Sequence, residues 1–169
     1  LGVPVVQVDC TNITPSGYKG RNLSQILDDL EERLVVADRT IPTLVVWEEI
    51  DKLAACSGEA GRYREMAQSD ALRFLDGARC GASGRLDGSR ILNIGCGAFV
   101  GLERIRNPEL SARIGFHLPR ETEVNPERKD AAVVLLPEHL VKFGLMTEFV
   151  GRFSRFTVLG AINHDVMRR

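Results

Sequence analysis

Two adjacent carboxylates, Glu48 and Glu49, follow the apolar run LVVW at residues 44–47, and Asp51 stands two positions further on. Such a run reads as a buried strand of a parallel sheet, and groups at the carboxyl end of such a strand face the crevice where open α/β folds bind ligands. Carboxylates there can hold Mg²⁺ on a nucleotide and orient an attacking water. An acidic strand end that merely caps the next turn has the same spacing. Arg152, four positions after Glu148, suits a phosphoryl group or a helical pair with that glutamate. Tyr18 and Lys19 stand between Gly17 and Gly20, which permit the backbone to swing; an ordinary turn tyrosine is the alternative. Asn93, polar in an apolar strand pattern, can contact phosphate or a water, or satisfy a neighbouring backbone group. Ile114, Gly115 and Phe116 place two large apolar side chains in a polar, proline-containing stretch, where they can anchor in a partner's cleft.

These groups need a scaffold. Residues 3–9 form an apolar, β-branched run that predicts a buried strand ending at Asp9. Residues 22–37 carry Leu23, Ile26, Leu27, Leu30, Leu34 and Val35 at helical spacing, with Asp28, Asp29, Glu31 and Glu32 on the outer face. A second strand is predicted at 43–47. A second helix at 61–75 has Tyr63, Met66, Ala67, Ala71, Leu72, Phe74 and Leu75 turned inward, and the glycine-rich stretch 77–88 ends it. A third strand at 90–94 leads into the sharp turn 95–99. Residues 107–130, polar and with three prolines, predict an irregular functional or flexible loop. A short helix at 137–143 stops at Gly144, and a last short strand follows at 156–159. Strands alternating with helices predict an α/β fold, a parallel sheet with helices on both faces.

The 169 residues, 44% of them hydrophobic, suffice for about one domain with a sizeable core. With 22 basic against 23 acidic residues the formal charge is -1, so no whole-domain field draws in nucleic acid or an anionic membrane, and neither is expected as a partner. The basic side is 18 Arg to 4 Lys, which favours hydrogen-bonded guanidinium contacts to carboxylate or phosphate. Cys10, Cys56, Cys80 and Cys96 form no C-x-x-C pair, and three histidines are equally scattered, so neither a zinc site nor a disulfide framework is expected. A reducing cytoplasm is the simplest compartment. The longest apolar run, 131–136, is too short to span a bilayer. A chain opening on Leu1 directly into a strand, and closing at 163–169 on what reads as a helix start, is expected to be a segment of a longer polypeptide.

The run VVWEEIDKL resembles the Walker B segment of AAA+ ATPases. Four further blocks in the same order narrow the resemblance to the ClpX family, hexameric protein unfoldases that feed the ClpP peptidase. These are ITPSGYKGRN, GCGAFVGLERI, the tripeptide IGF, and LLPEHLVKFGLMTEFVGRF. The resemblance runs from about residue 3 to 159. It implies a three-layer αβα large subdomain over 1–159, with 160–169 opening a connection to a small helical subdomain that would follow, and it implies ATP and Mg²⁺ as cofactors. Glu49 matches the catalytic glutamate that activates water, and Arg152 the arginine finger reaching into a neighbouring subunit's site. Glu48 occupies the position of the magnesium-binding aspartate; one extra methylene shifts its carboxylate, and Mg²⁺ tolerates little distortion. Gly17, Tyr18, Lys19 and Gly20 match the pore loop that grips the translocating polypeptide, with Lys19 replacing an aliphatic residue. Ile114, Gly115 and Phe116 match the tripeptide that docks on ClpP, absent from the related unfoldase HslU. The implied protein is a cytoplasmic homohexamer acting on unfolded or tagged proteins.

No G-x-x-x-x-G-K-[ST] occurs in the chain. In the family that phosphate-binding loop and the central strand bearing it precede the matched region, so a sheet lacking its central strand is expected, and the 169 residues alone are not expected to hydrolyse ATP. The basic loop that many relatives carry before the third strand is shortened to about 81–88. The alternative from a different class is a degenerate, non-hydrolysing AAA+ relative serving as a binding or assembly module.

Overall fold

A computed structural model describes residues 3–14, 21–36, 39–107 and 134–159. The pore-loop candidates Gly17, Tyr18, Lys19 and Gly20, the tripeptide Ile114, Gly115 and Phe116, most of the 107–130 stretch and residues 160–169 lie outside the described residues.

Three strands, β1 (Val5–Asp9), β2 (Thr43–Glu48) and β3 (Ile91–Gly95), form a parallel sheet in the order β1-β2-β3. The register sets Asp9 beside Glu48 and Trp47 beside Gly95, so all three strands end at one edge. Helix α1 (Leu23–Leu34) follows the predicted stripe, burying Leu23, Ile26, Leu27, Leu30 and Leu34. It stops three residues earlier than expected, because Val35–Val36 pairs antiparallel with Arg39–Thr40, and β-branched side chains favour that geometry over another helical turn. Helix α2 (Glu59–Leu75) brings Phe74 onto Trp47, ring centroids 5.9 Å apart. Its stripe is rotated from the expected one: Met66 is exposed, while Gln68 is completely buried. Helices α3 (Leu102–Arg106), α4 (Pro137–Phe143) and α5 (Thr147–Val150) complete the described core with Leu102, Leu140 and Phe149. Gly144 ends α4 as expected, with φ +120°.

Side chains alternate across the sheet. Val8, Val45, Trp47 and Ile91 enter the helical core, whereas Val5 and Leu92 on the other face are 60% and 65% exposed. The expected second helical layer is therefore not found among the described residues, which form two layers. Residues 156–159, expected as a strand, have no regular structure, and Leu159 is 87% exposed. They pair with no described strand, and without partners a strand has nothing to hold it. Among the described residues no helix is long and apolar enough to cross a membrane.

The glycine-rich stretch holds an antiparallel pair, Arg79–Cys80 with Leu86–Asp87. Glu31, expected on the outer face of α1, is buried and clamps this hairpin. Its carboxylate accepts from the Ser83 amide at 2.8 Å, the Ser83 hydroxyl at 2.7 Å, the Arg85 amide at 2.6 Å and the Leu86 amide at 3.2 Å. The Ser83 amide and hydroxyl lead in lowering its pKa from the ordinary 4.5 to about 2. A depressed folded pKa means that the stabilisation is complete above the unfolded value and is lost as pH falls through the folded one. Thermal unfolding of the chain should thus show stability declining from about pH 4.5 to about pH 2. Glu31→Gln should flatten that decline and cost about 2 kcal/mol at pH 7; an unchanged acid profile would dismiss the clamp.

Candidate functional site

The shared edge of the sheet gathers the acidic groups. Glu48 ends β2 next to Asp9 at the end of β1, and the Gln7 side-chain amide donates to Glu48 Oε1 at 2.9 Å, orienting that carboxylate. Asp9 accepts from the Thr11 amide at 2.9 Å, the Thr11 hydroxyl at 2.6 Å and the Asn12 side chain at 2.6 Å. It thereby caps the short 3-10 turn Cys10–Asn12, and the Thr11 hydroxyl leads in holding its pKa below the usual carboxylate value. Glu49 follows with φ +53° and opens a second 3-10 turn, Ile50–Leu53. This reversal swings its side chain out of the strand line: the carboxylate is half exposed and lies 3.7 Å from Lys52 Nζ.

The turn after β3 closes the site from the other side. Cys96 N donates to Trp47 O at 2.8 Å, and Ile50 N donates to Cys96 O at 2.9 Å, so the 95–99 turn is laced to the Glu49 turn. A cavity of about 460 Å³ opens between them, lined by Asp9, Thr11, Glu48, Glu49 and residues 96–98. Beneath it Asp51 is buried, with Oδ2 3.2 Å from Lys52 Nζ and Oδ1 without a hydrogen-bond partner among the described residues. Gly97 sits directly over that oxygen, and a Cβ there would collide with it. Lys52 has its pKa raised, chiefly by Asp51.

The other candidates lie elsewhere. Asn93 shares a sheet face with Trp47 and its Oδ1 accepts the indole N–H at 2.9 Å; it does not line the cavity. Arg152 follows α5 and forms an ion pair with Asp76, the residue capping α2 at its carboxyl end, rather than a close pair with Glu148. Asp76 also leads in raising its pKa. Burial pushes the Cys10 thiol up to about 12, consistent with a small buried hydrophobe. Cys96, in contrast, is exposed beside the carboxylates. Asp9, Thr11 and the 96–98 turn were not candidates from sequence; the signal that points to them is the parallel register, which aligns strand ends.

No protein-family model matches the chain. Among curated proteins, the ATP-dependent Clp protease ATP-binding subunit ClpX of Azotobacter vinelandii is 32% identical across 100% of this chain and 42% of its own length. A ClpX of Methylococcus capsulatus is 34% identical across 90% of the chain and 40% of its own length. The chain is ClpX-like. The corresponding subunit of Bacteroides fragilis agrees, with 29% identity over 99% of the chain and 45% of its own length. The ClpX-like chain thus spans less than half the length of the relatives it matches. Those names, ATP-binding subunits of an ATP-dependent protease, belong to proteins whose remaining length this chain does not include.

Proposed function

We propose that this ClpX-like chain forms the Walker B half of a AAA+ large subdomain, over residues 1–159, in a protein that uses ATP to unfold other proteins and pass them to a ClpP-type peptidase. The observation carrying this reading is the 460 Å³ cavity that brings Glu48, Glu49 and Asp9 together at the sheet edge in a chain resembling ClpX along its whole length. The donor set suits the cofactors. Carboxylate and hydroxyl oxygens are hard ligands of the kind Mg²⁺ takes, one or two carboxylates serving together with substrate phosphates. Glu48, steadied by Gln7, is the group to hold Mg²⁺-ATP, and the ion when bound neutralises charge on the phosphates.

Glu49 supplies the base. Its half-exposed carboxylate at the cavity can accept a hydrogen bond from a water and take its proton as that water attacks the terminal phosphate. Arg152, paired with Asp76 and not lining the cavity, would serve the site of the next protomer in a ring and offset charge on the transferring group. Tyr18, between Gly17 and Gly20 and beside Lys19, would grip the substrate chain, and Ile114, Gly115 and Phe116 would anchor the peptidase. Asn93, held by Trp47, keeps a structural role in this reading.

The full-length protein containing this chain, given Mg²⁺-ATP and a folded fluorescent reporter with a degradation tag, should extinguish the fluorescence only while ATP lasts. Phe116→Ala should weaken its association with the peptidase about tenfold or more. A protein that neither retains ATP nor gathers into rings would end the reading. Retention and assembly without turnover would favour the second reading, a non-hydrolysing assembly module. What favours that module is the longer Glu48 in a magnesium position, already engaged by Gln7.

A further inference from the structure

The fully buried Gln68 of α2 touches neither the cavity nor Arg152, yet its amide joins the segments that carry Glu49 and Arg152. Its Nε2 donates to Leu53 O at 2.8 Å and lies 3.5 Å from Gly144 O. Its Oε1 accepts the Met146 amide at 2.7 Å. Leu53 closes the 3-10 turn that Glu49 opens, and Met146 caps the start of α5, whose last residue, Val150, is two positions before Arg152. A second bond lies alongside, Ala55 N to Gly144 O at 2.8 Å. A primary amide in a dry core is costly to desolvate unless both its ends are satisfied, and an apolar residue would fill this place in α2 at no such cost. Both ends of this amide are used: the nitrogen bridges Leu53 and Gly144, and the oxygen holds Met146.

We propose that Gln68 is a positioning residue that locks the Glu49 turn and helix α5, which Arg152 follows, into one body. The inference rests on the nucleotide-hydrolysing reading above for its catalytic consequence, though not for the lock itself. With the lock in place, a shift of the Glu49 turn in one protomer carries to the arginine offered to the next. With it broken, the Ala55–Gly144 bond is left to join the two segments, and they shift more independently. A misplacement of about 1 Å at a reacting centre costs up to about a hundredfold in rate, so the effect falls on turnover more than on nucleotide affinity.

The test compares Gln68→Leu with Leu86→Ala in the full-length protein; Leu86 is equally buried, in the hairpin strand Leu86–Asp87, and bonds to Glu31 and Cys80 rather than to the lock. Hydrogen exchange should accelerate about tenfold in Gln68→Leu at Ala55 and Met146 and in residues 147–153 together, while Leu86→Ala spares that pairing. The kcat for ATP should fall about tenfold with KM within about twofold, and Leu86→Ala, measured per folded molecule, should keep both. Acceleration on one side only, or an unchanged kcat in Gln68→Leu, overturns the proposal. A wild-type protein without ATP turnover would instead overturn the hydrolytic reading, and the exchange result would still decide whether Gln68 joins the two segments.

Discussion

Glu49→Gln in the full-length protein should abolish steady-state ATP turnover, a loss on the order of 10² to 10⁴ if only general-base catalysis is removed, while leaving nucleotide binding intact. The substitution is nearly isosteric. Its consequence is chemical: an amide oxygen still accepts a hydrogen bond from water but does not take the proton. The carboxylate is half exposed and pairs with Lys52 at 3.7 Å, and such an exposed pair contributes little stability. Turnover measured by phosphate release, with nucleotide affinity measured separately, checks the assignment. Undiminished turnover would remove Glu49 from the base's role, and lost binding would show that it holds the nucleotide instead.

Arg152→Ala should lower turnover about 10³-fold or more in the assembled ring, with the melting temperature of the chain scarcely changed. The asymmetry follows from magnitudes. The pair with Asp76 has both partners about two-fifths exposed, and an exposed ion pair contributes about 0 to 1 kcal/mol. A thousandfold in rate corresponds to about 4 kcal/mol at the transition state. Releasing Arg152 from Asp76 is therefore easily offset by engaging a phosphoryl group in a neighbour. Mixed rings decide the point: Arg152→Ala subunits combined with Glu49→Gln subunits should regain activity, because each lesion leaves one kind of interface whole. Absence of any recovery, or a large drop in melting temperature, would return Arg152 to a structural role.

The three parallel strands and both long helices were legible because each carries its own period: valines and leucines in short runs for β1 and β2, and a 3.6-residue stripe for α1. The pair Glu48 and Glu49 was legible for the same reason, since the strand that delivers them announces itself. Glu31 and Gln68 were not. Each is a polar side chain buried by partners 15 to 78 residues away, and nothing in local hydropathy distinguishes such a residue from a solvated one. The second helical layer is not found among the described residues, and strand and helix alternation does not say which elements cover which face. The 156–159 strand failed because a strand is a pairwise object, and propensity speaks for one member only. Asn93 illustrates the open alternatives well: its polar group satisfies Trp47 within the sheet, a partner visible only in the register.

The left-handed backbone at Glu49 bears on what shaped this turn. Glycine adopts such dihedrals without steric cost, whereas any residue with a Cβ holds them at about 1 to 2 kcal/mol. A polypeptide selected for folding alone would place glycine at that corner and gain that much. Holding an acid there costs stability that glycine would spare, so Glu49→Gly should leave the turn in place while removing the carboxylate from the cavity.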